Sequence, residues 1–533
     1  MRWLLVLALL CALTPGGRAA QTVPVLPVLA EIGPWPVVSR LVAYDGRLWF
    51  ANSVKGVNHN SADLYAYEPA SGETRYMRHL FSQDAGRPLV HEGLLYWPLE
   101  DARISLGWGQ IEVTNGRSWQ TLTVPTATAF HTHALAGQSG RLVAATSAWR
   151  AGFQVSNDGG LTWREIYDHP TPDGRVSRVT ELASLGGSVV GSLNSRNGRG
   201  LLMLGYGQVA PVPGWPSDRA VLAIAVFGGW LYGLVRGDDG VVLWRSDGLA
   251  SEALPAPRAD WRPRHIAADD EGLWAVEGSG RLWRSDDGEA WQLTARLSGG
   301  TPWEVALLDG KPYVGGAGED GRGVLWGPAP GQAVAKAGPS ATFRQREPGP
   351  DRDWAAAGVE LDRLLADPAS YTGYRGGLRE RLYELALSGP PAGFFTQRLW
   401  PREPDQTLGL IGGAVETPAW TLRRWLLLWA IGLSGAGPVP IKLIEAPWDA
   451  APNRAEKYFA PAPAAAWAAA QIGQRDRATI DALIARLGND GDPDWLTGDL
   501  VGALSALTGQ VFAYDLDAWR AWWTEVRDGW GEG

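Results

Sequence analysis

The sequence predicts a β-then-α architecture, a seven-bladed β-propeller followed by an α-helical domain. Three observations lead there. A phrase made of an apolar run, a glycine turn and a second apolar or aromatic run recurs seven times between Leu41 and Gly315. Its pivots, Gly46, Gly93, Gly140, Gly187, Gly229, Gly272 and Gly310, follow one another at 47, 47, 47, 42, 43 and 38 residues, the length of one four-stranded unit. Beyond Pro350 that pattern stops, and apolar residues recur three and four apart.

The chain opens with Arg2, an apolar core from Trp3 to Leu13, the helix breakers Pro15, Gly16 and Gly17, and small residues at Ala19 and Ala20. This is the pattern of a secretory signal at residues 1–20, cut near Ala20. Leu10 stands where lipidation of Cys11 would need a small residue, which argues against a lipid anchor. Cys11 is the single cysteine, so the processed chain has neither disulfides nor cysteine-ligated zinc. At 45% hydrophobic and 20% charged the 533 residues have ordinary globular composition, which excludes fibrous and disordered classes. A net charge of -9 argues against nucleic acid as partner. After the signal, the longest apolar stretch, Trp425 to Leu433, is about half of what spans a bilayer and reads as a buried helix. Arginine outnumbers lysine 43 to 5, a bias of GC-rich bacterial genomes, and the expected location is secreted or periplasmic.

The propeller is expected over residues 21–338. Its hairpins are Leu41–Phe50, Leu89–Trp97, Leu135–Ala145, Leu182–Gly191, Ile224–Gly233, Ile266–Val276 and Val305–Gly315. Blade 3 shows the repeat most completely, with strands at Ala134–Ala136, Arg141–Ser147, Phe153–Ser156 and Thr162–Tyr167. Between its third and fourth strands, Ser156, Asp158, Gly160, Thr162 and Trp163 fit S-x-D-x-G-x-T-W and resemble the Asp-box of bacterial neuraminidase-type repeats. In such a turn the aspartate bonds amides two residues on, the glycine supplies positive φ, and the tryptophan covers the hairpin. Blade 6 carries a weaker copy in RSDDGEAW, with Asp286, Gly288 and Trp291 in register and Arg284 where serine is expected; Trp244–Gly248 and Val113–Trp119 are further remnants. These aspartates are structural, and the periodic tryptophans, Trp49, Trp97, Trp163, Trp230, Trp274 and Trp291 among them, are packing residues. Two segments compete to close blade 7 as its outer strand, Thr22–Leu29 and Gln332–Ala337; the prolines of the first suit an edge.

A linker is expected at 339–352, a helical region at 353–460 and repeat helices at 461–533. Helices are predicted at Trp354–Pro368 and Leu378–Pro390, and a third has Thr417 as cap and Pro418 at its first position. Four short helices follow, divided by Gly473, Gly488–Pro493 and Gly509. The pair Ala464–Ile472 and Arg477–Leu487 resembles a HEAT repeat. Leu507, Thr508, Gly509, Asp515, Trp519, Trp522 and Trp523 are similar to the closing segment of bacterial HEAT-repeat proteins. A helical array needs stacked neighbours to bury its faces, which the preceding helices would supply.

Propellers bind ligands where loops lead into the innermost strands. In register there lie Arg40, Arg87, His131 with His133, Arg178, Arg219, Arg264 with His265, and Trp303. As a ring they would hold a carboxylate, phosphate or sulfated glycan; alternatively the arginines pair with acids such as Glu181 and Glu304. His131, His133 and His265 read as structural histidines, with no metal and no cofactor expected. The Asp-box resemblance brings sialidase-like hydrolysis into view, with Arg40, Arg178 and Arg264 in place of a substrate-gripping arginine triad. However, no R-I-P segment and no Tyr and Glu nucleophile pair can be assigned, so no catalytic residue is expected. The expected function is therefore an exported, non-catalytic binding or scaffold protein for a protein or anionic glycan. The alternative is a sialidase-like hydrolase or lyase of an anionic sugar.

Overall fold

The computed structural model describes residues 23–531 except 58, 103–107, 127, 139, 149, 170–175, 196–198, 206, 332–340, 348, 350, 372–376, 400–406, 411–414 and 447–459. The signal expected at 1–20 and the closing strand expected at Gln332–Ala337 lie outside these residues. Seven sheets of four main strands stand around one axis, and their innermost strands are each other's neighbours from blade to blade, Thr301–Leu308 of blade 7 returning to Val37–Tyr44 of blade 1. All seven pivot glycines join the first two strands of a blade, Gly46 between Val37–Tyr44 and Arg47–Ser53 being the first. Blade 3 has strands His131–Gln138, Arg141–Ser147, Ala151–Ser156 and Arg164–Asp168; the second is as read from sequence, the first and third are longer, and the fourth starts two residues later because Thr162 and Trp163 belong to the turn.

Closure uses the N-terminal segment. Val28–Ile32 pairs antiparallel with Gly323–Trp326 as the outer strand of blade 7, and Val25–Leu26 adds a parallel fifth strand to blade 6. The split places Pro27 between two sheets, where its missing N–H costs no ladder bond.

In an antiparallel blade, the loops leading into the first strand and those from second to third strand share one end, here called the mouth face. The glycine hairpins and the third turns share the other, the turn face. Four of those third turns are built alike. The Ser156 hydroxyl accepts from the Gly160 amide (2.8 Å) and Asp158 accepts from Thr162 N (2.9 Å), while Trp163 Nε1 donates to Gly160 O (2.9 Å). The expected amide bond two residues on is thus taken by the serine, and the aspartate reaches further. In blade 6 the working pair is Ser285 and Asp287, which accept from Gly288 N (2.8 Å) and from Glu289 N and Ala290 N (2.8 and 2.7 Å). Asp286 instead points outward onto Arg284 at 3.0 Å, because this turn is one residue shorter. Thr114 with Asn115 and Ser246 with Asp247 do the same in blades 2 and 5.

After the propeller, residues 341–347 run as a strap along the turn face of blades 2 and 3. Ala341 O accepts from Asn115 Nδ2 (3.3 Å), Arg344 pairs with Glu92 (2.9 Å), and Arg346 donates to Leu161 O inside the blade 3 turn. The helices then follow: α1 Trp354–Ala366, α2 Leu378–Ala386, α3 Ala419–Ser434, α4 Ile441–Ile444, α5 Pro461–Ile472, α6 Arg477–Arg486, α7 Asp494–Thr508 and α8 Leu516–Val526. Asp353, Asp476 and Asp515 cap α1, α6 and α8 by accepting amide bonds, and left-handed Gly473 and Gly509 end α5 and α7. Thr417 and Pro418 do not open α3 as expected. They end a strand, Val415–Pro418, that pairs with Thr407–Leu410, and the helix starts one residue later. Trp425 to Ile431 are buried within α3, which packs on α2 and α5. No helix among the described residues is long and apolar enough to cross a membrane.

The helices do not stand apart from the propeller. Tyr76 and Phe81 of blade 1, Tyr313 of blade 7, Trp108 of blade 2 and the cores of α1 to α8 belong to one continuous apolar cluster. Trp108 meets Trp429 and Tyr383 edge-on at 5.6 and 5.5 Å. Helix α7 lies against Glu73–Leu80, the outer strand of blade 1.

Candidate functional site at the channel mouth

A local device recurs at the mouth end of the innermost strands. Six of them carry a register shift there, at Ser39/Val42, Thr132/Ala134, Val179/Leu182, Val221/Ala223, Pro263/His265 and Pro302/Glu304. The seventh is broken outright: Ser82–Ala85 and Leu89–His91 both pair with Leu94–Ala102, leaving Gly86, Arg87 and Pro88 between them. A bulge re-aims the side chain that follows it. In blade 2, Gly86 N bonds Pro98 O and Arg87 N bonds His133 O, both at 2.7 Å, so Arg87 leaves its own sheet and leans on blade 3. In blade 1, Arg40 takes a left-handed backbone (φ 57°), which presents its amide to Glu304 Oε2 at 2.9 Å.

These devices bring five side chains together at the channel. The Arg87 guanidinium bonds Glu304 Oε1 (3.1 Å), Glu181 Oε1 (3.1 Å) and His265 Nε2 (3.1 Å). Arg40 Nη1 lies 3.9 Å from Glu181, and its Nε donates to Ala85 O (3.1 Å). Two cations from blades 1 and 2 thus interlock with two anions from blades 4 and 7. Burial alone would raise the Glu304 pKa, but Arg87 and Arg40 outweigh it and hold the carboxyl at about 2. Desolvation takes His265 the other way, down to about 3, so its neutral Nε2 lone pair is free to accept from Arg87. Both groups keep a fixed charge across neutral pH, and the cluster is a polar plug rather than an acid–base pair.

The other predicted rim residues separate. His133 is buried with Nε2 2.8 Å from Ser147 Oγ, and His131 stacks on it at 5.4 Å; desolvation holds both rings neutral, near 3. Arg178 reaches Glu100 at 3.5 Å, and Arg219 faces solvent with Asp238 and Asp218. Arg264 lies over the Trp303 ring at 4.5 Å and donates to Pro302 O (2.9 Å). Arg40, Arg178, Arg219 and Arg264 therefore share no single pocket. Among the described residues no three His, Cys, Asp or Glu side chains converge as metal ligands would.

From the plug an open groove of about 830 Å³ extends over blades 5, 6 and 7. Six arginines and four carboxylates line it, a cationic surplus within a chain of net charge -9. Arg281 is matched by Glu277 (2.6 Å) and Asp260 (2.9 Å), and Arg40 and Arg87 are taken by the plug. Arg236, Arg262 and Arg264 have no carboxylate partner among the described residues. Sequence reading missed Arg236 and Arg262 because they sit outside the register used, Arg236 at the end of the second strand of blade 5 and Arg262 in the loop leading into blade 6. Glu181 and Glu304 had a clear signal: each stands six residues before its pivot glycine, as do Arg40 and Arg87.

No family model matches the chain, and no curated protein matches it. Among solved structures it is similar to Ycf48 bound to D1 peptide, at 15% identity and TM-score 0.42 over 59% of this chain and 100% of that one. It is similar to the Pan2 WD40 domain of Neurospora crassa at 11% identity and TM-score 0.39, covering 56% and 92%. The β-propeller domain of the Trilobed protease from Pyrococcus furiosus, which has an open velcro topology, matches at 11% identity and TM-score 0.39 over 55% and 94%.

Proposed function

We propose that this is an exported, non-catalytic binding protein, an Asp-box propeller with a HEAT-like helical end, whose mouth-face groove takes an anionic group of a partner protein or glycan. One observation carries the reading: Arg236, Arg262 and Arg264, all exposed and without carboxylate partners, open onto one groove. Guanidinium forks in a concave site suit carboxylate, phosphate or sulfate oxygens, and the surplus charge steers such groups inward. The helical surface offers a second contact area. Export rests on residues 1–20 and places the partner in the periplasm or outside. The hydrolase alternative loses support, since its arginine triad is not assembled and Glu304 and His265 do not titrate near neutrality.

The test is capture from envelope extract by the purified protein, against a variant carrying Arg236→Ala, Arg262→Ala and Arg264→Ala. Salt-sensitive retention by the wild type, lost in the variant, is expected. Equal retention by both removes the groove from the function, and turnover of a sialylated or uronic-acid substrate restores the enzyme.

A further inference from the structure

Where α7 meets blade 1, an imidazole is sealed between two acids. His79 Nδ1 lies 2.8 Å from Asp63 Oδ1 of the same blade, and Nε2 lies 2.8 Å from Asp499 Oδ1 of α7; all three side chains are fully buried. The helix is shaped for the ring. Cβ atoms at Gly498 and Gly502 would come within 2.8 Å of His79 Cε1 and 2.7 Å of His79 Cβ, so two glycines, each weakening a helix by about 1 kcal/mol, stand where the ring needs space.

Carboxylate oxygens only accept, and a neutral imidazole has one N–H. Two short contacts from one ring to two carboxylates therefore require one proton more than neutral histidine with two ionised aspartates carries. We propose that this buried proton is the clasp that fastens the helical region to the propeller, and that its removal releases the helices. This goes beyond the binding function and does not depend on it.

The surroundings fit. Asp63 Oδ2 accepts from Trp35 Nε1 and from the Tyr514 hydroxyl, each at 2.6 Å, so its second oxygen is satisfied from both sides of the junction. Tyr65, Tyr76 and Tyr514 face the cluster, and burial pushes their phenols well above 10, which keeps them neutral. Phe81 meets the ring edge-on. Arg78 turns away to Glu112 (2.9 Å), and the His59–Asp494 pair lies at the rim of the junction. Burial opposes the charge on His79, but Asp63 and Asp499 outweigh it and push its pKa up to about 9. A raised histidine pKa gives stability that is complete below about 6.5, declines as pH rises and is gone above about 9.

The test is urea unfolding of the full chain followed by helical circular dichroism. The equilibrium constant for loss of the helical signal should rise about tenfold per pH unit from near pH 7 and level off near pH 9. In Asp499→Asn an amide can partner the neutral ring, so docking should persist and the pH slope vanish. Histidine-labelled nitrogen NMR of the wild type near pH 8 should show one ring carrying both N–H protons. A flat wild-type profile, an unchanged slope in Asp499→Asn, or no doubly protonated ring would each overturn the clasp.

Discussion

The Arg87 guanidinium lies 3.1 Å from the Glu304 carboxylate although one belongs to blade 2 and the other to blade 7, with blade 1 between them in the ring. The contact reaches past blade 1 and Glu304 is nearly inaccessible, so removing the cation leaves a buried carboxylate held only by the Arg40 amide and without its ion-pair partner. Arg87→Ala should cost about 3 kcal/mol. Adding Glu304→Gln should recover part of that loss, a coupling measurable by a double-mutant cycle in urea. Additive losses would mean that the pair is not energetically linked.

Acid should loosen the same plug. The Glu304 pKa is depressed against the pull of burial, so its stabilisation is present above about 4.5 and lost as pH falls through about 2. Tryptophan fluorescence of the wild type should show an acid transition whose midpoint depends on Glu304. The Glu304→Gln variant, already weaker at neutral pH, should lack that part of the acid dependence.

Gly86 is where blade 2 lets Arg87 out. A Cβ there would sit 2.5 Å from His133 O and 2.8 Å from Thr132 O, both backbone atoms of blade 3. Gly86→Ala should therefore destabilise the chain by about 2 kcal/mol. Gly187→Ala is the control, because nothing lies within 4 Å of its added Cβ and its φ is ordinary. Equal urea midpoints for the two variants would contradict the packing argument.

The blade 3 turn has two tasks, folding its hairpin and receiving the strap through Leu161 O. Asp158→Ala removes a charged acceptor from Thr162 and Ser156 and should cost about 2 kcal/mol. It should also expose residues 341–347 to proteolysis. Arg346→Ala should raise that cleavage with little change in propeller stability, which separates the tasks.

The seven hairpins were legible because each is local: a glycine turn flanked by apolar strands carries its own instructions within ten residues. The helix breaks at Gly473 and Gly509 were legible for the same reason. The mouth bulges were not, since Arg40 and Glu181 look like ordinary strand residues and only their partners on other blades, Glu304 and Arg87, explain the turn of the backbone. The copy in blade 6 misled by one position, because Asp286 and Asp287 are chemically identical and only the length of the turn chooses between them. Nor did the separate patterns of strand and helix reveal that His79 and Asp499, 420 residues apart, meet.

Trp35 lies in the short link between the strand that closes blade 7 and the first strand of blade 1, and its ring stands edge-on to Tyr514 at 5.7 Å while its N–H shares Asp63 with that tyrosine's hydroxyl. The link between blade 7 and blade 1 and the segment leading into α8 thus meet on one carboxylate. A ring joined by a single strand is weakest at that join, and here the bracing comes from a tyrosine 451 residues beyond the aspartate it bonds. The seam acquires its full set of contacts only after Tyr514 has been synthesised, so the propeller, although encoded ahead of the helical region, does not hold all of its bonds until those helices have been made.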